Sequence, residues 1–384
     1  MTTNTTQSGN LKVPKLRFPG FEGGWEEKKL KDLFTKKTQK NTNGEEKFVL
    51  TNSAVQGIVG QLDYFEKDIA NQNNLLGYYI VDVDDFIYNP RISKHAPVGP
   101  LKRNNYRKGV MSPLYTVLKP KIYFVHYLEK YFNTTKWYKY MFKIANYGAR
   151  HDRMNIAQDD FLRMPIPFPS LPEQQKIADF LGAVDAMITN LKKQKELLEK
   201  YKKGMMQKIF SREIRFPGFS GEWEEKKLGE VLKIGNGKDY KHLDSGDIPV
   251  FGTGGYMLSV NKALYSGESV LIGRKGTIDK PFYFNGDFWT VDTLFYTHSF
   301  NNVIPKFINL VFQQINWKKH NEASGVPSLS KTTIEKIKIS VPSLPEQQKI
   351  ASFLSSIDDL IEAKSREIEK VERWKKGVMQ RLFV

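Results

Sequence analysis

Residue patterns that could do chemistry are few in this chain, and each falls short of the motif it approaches. Gly252-Thr253-Gly254-Gly255 follows the apolar run Ile248-Pro249-Val250-Phe251. No Gly-x-x-x-x-Gly-Lys-Ser/Thr accompanies it, so no loop of that type can wrap a nucleotide phosphate. Gly235-Asn236-Gly237-Lys238 is shorter still. Tyr88-Asn89-Pro90-Arg91 approaches the Asn/Asp-Pro-Pro-aromatic motif of amino-methyltransferases but lacks the second proline and the aromatic. It reads as a strand-end turn that presents Arg91. The six histidines are scattered without metal spacing, and nuclease-like Asp-x-Glu-x-Lys clusters are missing. Cysteine is absent, which removes disulfides, thiol nucleophiles and thiolate ligands and fits a cytoplasmic location. No catalytic residue and no metal ligand is therefore assigned.

What the side chains do offer is recognition of a polyanion. The formal net charge is +17. Residues 1–168 carry 26 Lys/Arg against 16 Asp/Glu, whereas residues 212–341 carry 17 against 14. Solubility alone could use such charge, but nucleic acid is the natural partner, and a membrane is not, since no basic amphipathic anchor and no long apolar span occur. Phosphate contacts need Lys and Arg, and base reading needs polar side chains at loop tips. In the first half the candidates are Arg91, Lys94, Lys102, Arg103, Arg107 and Lys108, interleaved with Asn104, Asn105 and Tyr106, and then Arg150 and Arg153. In the second half Arg274, Lys275 and Thr277 stand at the place of Arg91, and Ser328 and Lys331 near the place of Arg150–Arg153.

The elements that must position these residues come in two sets, because the chain repeats itself. Pro169-Ser170-Leu171-Pro172-Glu173-Gln174-Gln175-Lys176-Ile177-Ala178 returns 173 residues later at Pro342–Ala351. Arg17-Phe18-Pro19-Gly20-Phe21-Glu22-Gly23-Gly24-Trp25 returns 198 residues later at Arg215–Trp223. Pro-Gly marks a turn, and Phe18, Phe21 and Trp25 read as anchors that dock it onto a core. Between these repeats lie divergent segments with matching strand candidates. Phe48–Leu50, Tyr78–Val81, Phe86–Tyr88 and Tyr115–Leu118 stand in the first. Ile248–Phe251, Ser269–Ile272, Phe282–Phe284 and Thr293–Tyr296 stand in the second. Helices are expected over Ile122–Phe132, Trp137–Ile144 and Pro305–Asn316. Asp85–Arg91 aligns with Ser269–Arg274 across a one-residue gap, and Met111–Thr116 with Val291–Tyr296.

Each Pro-Ser-Leu-Pro-Glu-Gln-Gln repeat opens a long helix, with Ser170/Glu173 and Ser343/Glu346 at capping-box spacing. An apolar seam follows at steps of four and three: Ile177, Leu181, Val184, Ile188, Leu191 and Leu198, then Met205 and Ile209. The second copy gives Ile350, Leu354, Ile357, Ile361, Ile368 and Val371, then Val378 and Leu382. Each helix is about 60 Å long at ~1.5 Å per residue. Neither can bury its seam on itself, so the two are expected to pair antiparallel. The predicted fold class is α+β: two mixed α/β domains of one fold, related by pseudo-twofold symmetry and separated by a pair of long antiparallel coiled-coil helices. The expected limits are a flexible tail at 1–14, a first domain at 15–168, a helix at 169–211, a second domain at 212–341 and a helix at 342–384.

The paired Pro-x-Leu-Pro-Glu-Gln-Gln-Lys-Ile helices and Arg-Phe-Pro-Gly-Phe-x-Gly-x-Trp turns, bracketing unlike domains, resemble the specificity subunit of type I restriction-modification enzymes. The resemblance runs from roughly residue 15 to the end. It implies that each domain is a target-recognition domain reading one half of a split double-stranded DNA target. It also implies that the helix pair sets the gap and docks two modification (adenine methyltransferase) subunits, and that restriction/translocase subunits join the full complex. On this resemblance S-adenosylmethionine, ATP and Mg belong to the partner subunits, and this chain is not itself an enzyme and binds no cofactor. Two other readings stand beside it. One is a free-standing sequence-specific DNA-binding regulator without enzyme partners, and the other is a coiled-coil adaptor whose charge is incidental.

Overall fold

The structure is a computed structural model that describes residues 12–64, 72–146 and 152–384. It divides into two compact units, and the division falls inside the long helices, not at their ends. One unit holds the described residues up to Leu191 together with Glu367–Val384, and the other is Lys192–Arg366. The helices themselves run Leu171–Phe210 and Leu344–Leu382. Each unit thus owns a segment of both.

In the first unit Phe34–Lys37, Thr116–Pro120, Phe86–Tyr88 and Leu101–Arg103 form an antiparallel sheet in that order. A hairpin, Leu50–Ser53 with Gly57–Gly60, and a pair, Tyr79–Val81 with Gly109–Met111, stand beside it. In the second unit the equivalent strands join into one sheet of six: Lys233–Asn236, Leu294–His298, Tyr265–Gly273, Phe282–Thr290, Ser245–Gly252 and Gly255–Val260. The order of the shared strands is the same. What differs is continuity. The turn at Asp82–Asp85, with Asp84 at φ +73, breaks the counterpart of the long strand Tyr265–Gly273. Lys37 stabilises that break by donating to Asp82 (2.5 Å) and Asp85 (2.9 Å).

The expected strands and helices are present, with shifted ends. Strands at Phe34–Lys37, Gly57–Gly60, Leu101–Arg103, Lys233–Asn236 and Gly255–Val260 escaped the sequence reading. They are short, glycine-bearing or basic, and carry no clear alternation. The registers also correct one alignment. Lys37 pairs with Val117 and Tyr88 with Thr116, while their counterparts Gly235 and Ile272 pair with Tyr296 and Phe295. Thr116 therefore corresponds to Phe295, one residue from the alignment read off the letters, and a one-residue slip reverses the side-chain face.

Each unit closes its core the same way. Trp137 Nε1 donates to Phe132 O (3.2 Å), and Trp317 Nε1 donates to Phe312 O (2.8 Å). Both tryptophans are 2% exposed and sit edge-on to that phenylalanine. An indole N–H must find an acceptor when buried, so the Phe-x-x-x-x-Trp spacing fixes the same helix end in both.

Within each unit the two helix segments run antiparallel. In the first, Ile177 and Leu181 are buried in one cluster with Met379, Leu382 and Phe383, and Asp185 accepts from Lys375. In the second, Met206 and Ile209 are buried with Ile350, Leu354 and Ile357, and Lys202 donates to both oxygens of Asp358 at 2.6 and 2.7 Å. Val184, Ile188, Leu191 and Ile368 are buried as the seam requires, whereas Leu198, Ile361 and Val371 are only half-buried. The buried methionines are Met206 and Met379; Met205 and Val378, the seam positions expected from spacing, are half-buried. The helices do not pack only on each other, because Ile177 and Leu181 also join the domain core around Tyr127, Leu128 and Tyr131.

Candidate nucleic-acid interface

The repeated turn and the repeated helix start are two halves of one lock. Glu173 is 2% exposed and takes Arg17 with both oxygens, from Nε at 2.8 Å and Nη2 at 2.8 Å. Arg17 also donates to the carbonyls of Glu22 and Gly23, which fixes the Pro-Gly turn. Arg215 meets Glu346 with the same pair of 2.8 Å bonds and donates to Gly221 O. Two helical turns on, Phe18 packs edge-on to Phe180 at 5.4 Å, and Phe216 to Phe353 at 5.5 Å. The carboxylate expected to complete a capping box thus receives an arginine. The glutamines beside it, Gln174 and Gln347, each donate 2.8 Å bonds to Pro169 O and Pro342 O. This lock sets where each domain stands on its own helix start.

On that frame the sheet ends present the predicted recognition residues. In the first unit Arg91 and Arg153 are brought together by an antiparallel bridge, closed by Ile92 N to Asp152 O (3.0 Å) and Met154 N to Pro90 O (2.9 Å). Both guanidinium groups stand 3.7 Å from Asp152 Oδ2. The Arg91 side chain is 63% exposed, so this shared contact is weak and open to competition from phosphate. Lys94 is exposed in the adjoining Ser93–Ala96 turn. Arg91 and Arg153 line a concave surface of about 570 Å³ together with Asn52, Ser53, Asn89 and Ser112. Asn89 and Ser112 are half-buried at this edge and carry the donor and acceptor groups that base edges require, whereas Asn52 and Ser53 are buried in the strand Leu50–Ser53, where Asn52 Nδ2 donates to Ile87 O and Pro100 O. Arg150 lies outside the described residues.

The second unit makes the same bridge from different letters. Lys275 pairs with Ser328, closed by Gly276 N to Pro327 O (2.8 Å) and Leu329 N to Arg274 O (2.9 Å). Lys275, not Arg274, therefore occupies the place of Arg91, and the one-residue gap in the sequence alignment closes. Arg274 is exposed, donates to Asp292 O at 3.3 Å and stands 5.9 Å from the Phe295 ring. Thr277 is half-buried beside this bridge. Asn321 holds the loop by accepting from Ser328 N (2.8 Å), and Ser330 caps the helix Lys331–Glu335 by accepting from Thr333 N (3.1 Å). Hydrogen bonds from Thr333 and Ser330 hold the Glu322 carboxyl below its ordinary value.

Two candidates of the first half belong elsewhere. Arg103 lies on the strand Leu101–Arg103, and its side chain is 12% exposed. Its guanidinium is already neutralised by Asp84 (2.5 and 2.8 Å) and Glu129 (2.8 Å). Lys102 donates to Asn133 at 2.6 Å, and burial pushes its pKa down. Asn104 is buried and holds its turn through Asp82 O and Arg107 O. Arg107 remains exposed, stacked 4.2 Å over the Phe48 ring. The glycine motifs are structural: a Cβ on Gly237 would lie 1.8 Å from Val291 O, and one on Gly235 would lie 2.1 Å from the Tyr296 ring. Among the described residues no group of three His, Cys, Asp or Glu gathers as a metal site, and no helix is long and apolar enough to cross a membrane.

Comparison with known proteins decides between the readings. The family model described as type I restriction modification DNA specificity domain matches residues 22–200 and again residues 220–373. The chain belongs to this family. Its two specificity domains correspond to the two sheets and their helix starts. A putative type I restriction enzyme MjaX specificity subunit of Methanocaldococcus jannaschii is 28% identical over 302 residues, 68% of this chain and 67% of that protein. The MjaVIII specificity subunit of the same organism is 28% identical over 283 residues, and the chain spans 63% of its length. In fold, the specificity chain is similar to the crystal structure of the type I restriction-modification S subunit from M. genitalium, with a TM-score of 0.63 at 18% identity, covering 97% of this chain and 99% of that one. A second solved type I system chain matches with a TM-score of 0.59 at 14% identity, covering 94% and 98%.

Proposed function

We propose that this chain is the cytoplasmic reader of a type I restriction-modification complex, in which each sheet domain recognises one half of a bipartite DNA sequence. One observation carries this reading. The same antiparallel bridge stands at the same place in both units, yet it presents Arg91 and Arg153 in one and Lys275 and Ser328 in the other. A conserved frame with exchanged surface letters is what two different half-sites require, since base readout is a matter of donor and acceptor pattern. The partners on this reading are double-stranded DNA, two modification subunits that use S-adenosylmethionine to methylate a flipped adenine in each half-site, and restriction subunits that use ATP and Mg. This chain reads and assembles and does no bond chemistry.

The test is a map of methylated adenines in cells that carry this chain with its modification subunits. A split motif is expected. Exchange of residues 30–168 for those of another member of the family should change one half of that motif and leave the other intact. A change in both halves would overturn the modular reading, and equal binding to every DNA at fixed salt would overturn sequence recognition altogether.

A further inference from the structure

A hairpin tip stands beside the recognition bridge in both units. In the first, Ser53 pairs with Gly57, which leaves Ala54, Val55 and Gln56 as the loop. In the second, Gly252 pairs with Gly255, which leaves Thr253 and Gly254. The hairpins are equivalent, because each offers the same backbone carbonyl to the same neighbour. Val110 N donates to Phe48 O at 2.8 Å, and Val291 N donates to Phe251 O at 3.0 Å. Both tips lie against the bridge. Ala54 lines the concave surface of Arg91 and Arg153, and Asn89 Nδ2 donates to Asn52 O at 3.3 Å. In the second unit a Cβ on Gly276, next to Lys275, would lie 3.6 Å from Thr253 Oγ1.

The first tip is held in shape from below. Ser53 is buried, and its Oγ accepts from Val55 N at 3.3 Å and Gln56 N at 3.2 Å. Gly57 closes the loop at φ +78, a conformation that side chains disfavour. The backbone is thus fixed while the side chains stay out: Val55 is 71% exposed, and Gln56 is exposed. A pre-ordered loop loses less entropy when its side chains are used in a contact. The major groove of B-DNA admits a two-stranded ribbon, and there a glutamine can bond adenine N6 and N7 together while an apolar group meets a thymine methyl.

Given that the chain reads DNA as proposed above, we propose that the tip at 54–56 enters the major groove of the first half-site. Gln56 reads the adenine of one A·T pair by donating to N7 and accepting from N6, and Val55 packs on the thymine methyl of the pair beside it. The second unit cannot read the same letters at this place, because its shorter tip carries a hydroxyl on Thr253 and no amide side chain.

The purified assembly of this chain with its modification subunits is offered a randomised DNA duplex library, and the bound fraction is sequenced. Exchange of residues 30–168 marks which half of the motif belongs to the first unit. The parent is expected to prefer A·T at one position of that half by about tenfold or more. In Gln56→Ala that preference should vanish at that position alone. Uracil in place of thymine throughout the same half should weaken the parent about fourfold, the worth of one buried methyl. Val55→Ser should be indifferent to that replacement. Both residues are exposed, so thermal melts of the variants should match the parent. An unchanged profile in Gln56→Ala, equal weakening at every position or a change in the other half would overturn the proposal and leave the split motif in place. A parent indifferent to uracil would overturn the Val55 contact. A flat profile in the parent would overturn the DNA reading as well.

Discussion

Arg17 lays its guanidinium along the carboxylate of Glu173, across 156 residues of sequence, and Arg215 lies on Glu346 in the same way. The two repeated motifs are therefore repeated together because each is the other's partner. Glu173→Ala leaves Arg17 half-buried without its carboxylate partner and should destabilise the first unit by about 2 kcal/mol. Arg17→Lys should fail to restore it, since a point charge cannot make the two-pronged contact. Urea unfolding of single variants checks this, with Glu346→Ala acting in the same direction on the second unit.

The pairing of the helix segments gives a pH prediction. Burial pushes the Asp185 carboxyl up, but hydrogen bonds from Lys130 and Lys375 outweigh it and hold the group below its ordinary value. A carboxyl depressed in the folded state stabilises above its unfolded pKa, and the contribution is lost as pH falls through the folded value. Asp185→Asn should therefore lower the unfolding midpoint at pH 7, and the difference from the parent should close as pH falls below about 4. Parallel urea curves at pH 7, 5 and 3 measure it; a constant difference at all three would refute the charge argument.

For DNA binding, the bridge residues, Arg91 exposed and Arg153 half-buried, separate from Arg103 with its two carboxylates. Arg91→Ala and Arg153→Ala should each weaken binding of the assembled complex by about tenfold. If the contact is to phosphate, the salt slope should also drop by about one unit. Arg103→Ala should instead unfold the first unit more readily, because Asp84 and Glu129 lose their partner. Fluorescence anisotropy across a salt series, set beside thermal melts, distinguishes the two outcomes.

Gly237→Ala should destabilise the second unit by about 1–3 kcal/mol through overpacking, since its Cβ would enter Val291 O at 1.8 Å. Calorimetry of the variant should show this loss.

By itself the sequence determined the duplication, the long helices and the family, because those rest on exact local patterns: Pro-Ser-Leu-Pro-Glu-Gln-Gln, Arg-Phe-Pro-Gly-Phe and a seam of period near 3.5. It also carried a second repeated signal, Phe132-x-x-x-x-Trp137 and Phe312-x-x-x-x-Trp317, whose meaning needed the indole hydrogen bond to be seen. Only tertiary structure decided which cations are exposed. Arg103 and Arg91 look alike as letters, but one is neutralised by Asp84 and Glu129 from distant segments, and the other stands on an exposed bridge. Tertiary structure likewise chose Lys275 over Arg274 as the counterpart of Arg91, because strand register is set by cross-strand hydrogen bonds and not by the best match of neighbouring letters. It also showed that identical glutamines, Gln174 and Gln347, differ in what covers them, since the link before Pro305–Gln314 brings Ile304 N to the second, and the shorter link before His126–Phe132 leaves Gln174 Oε1 without a partner among the described residues.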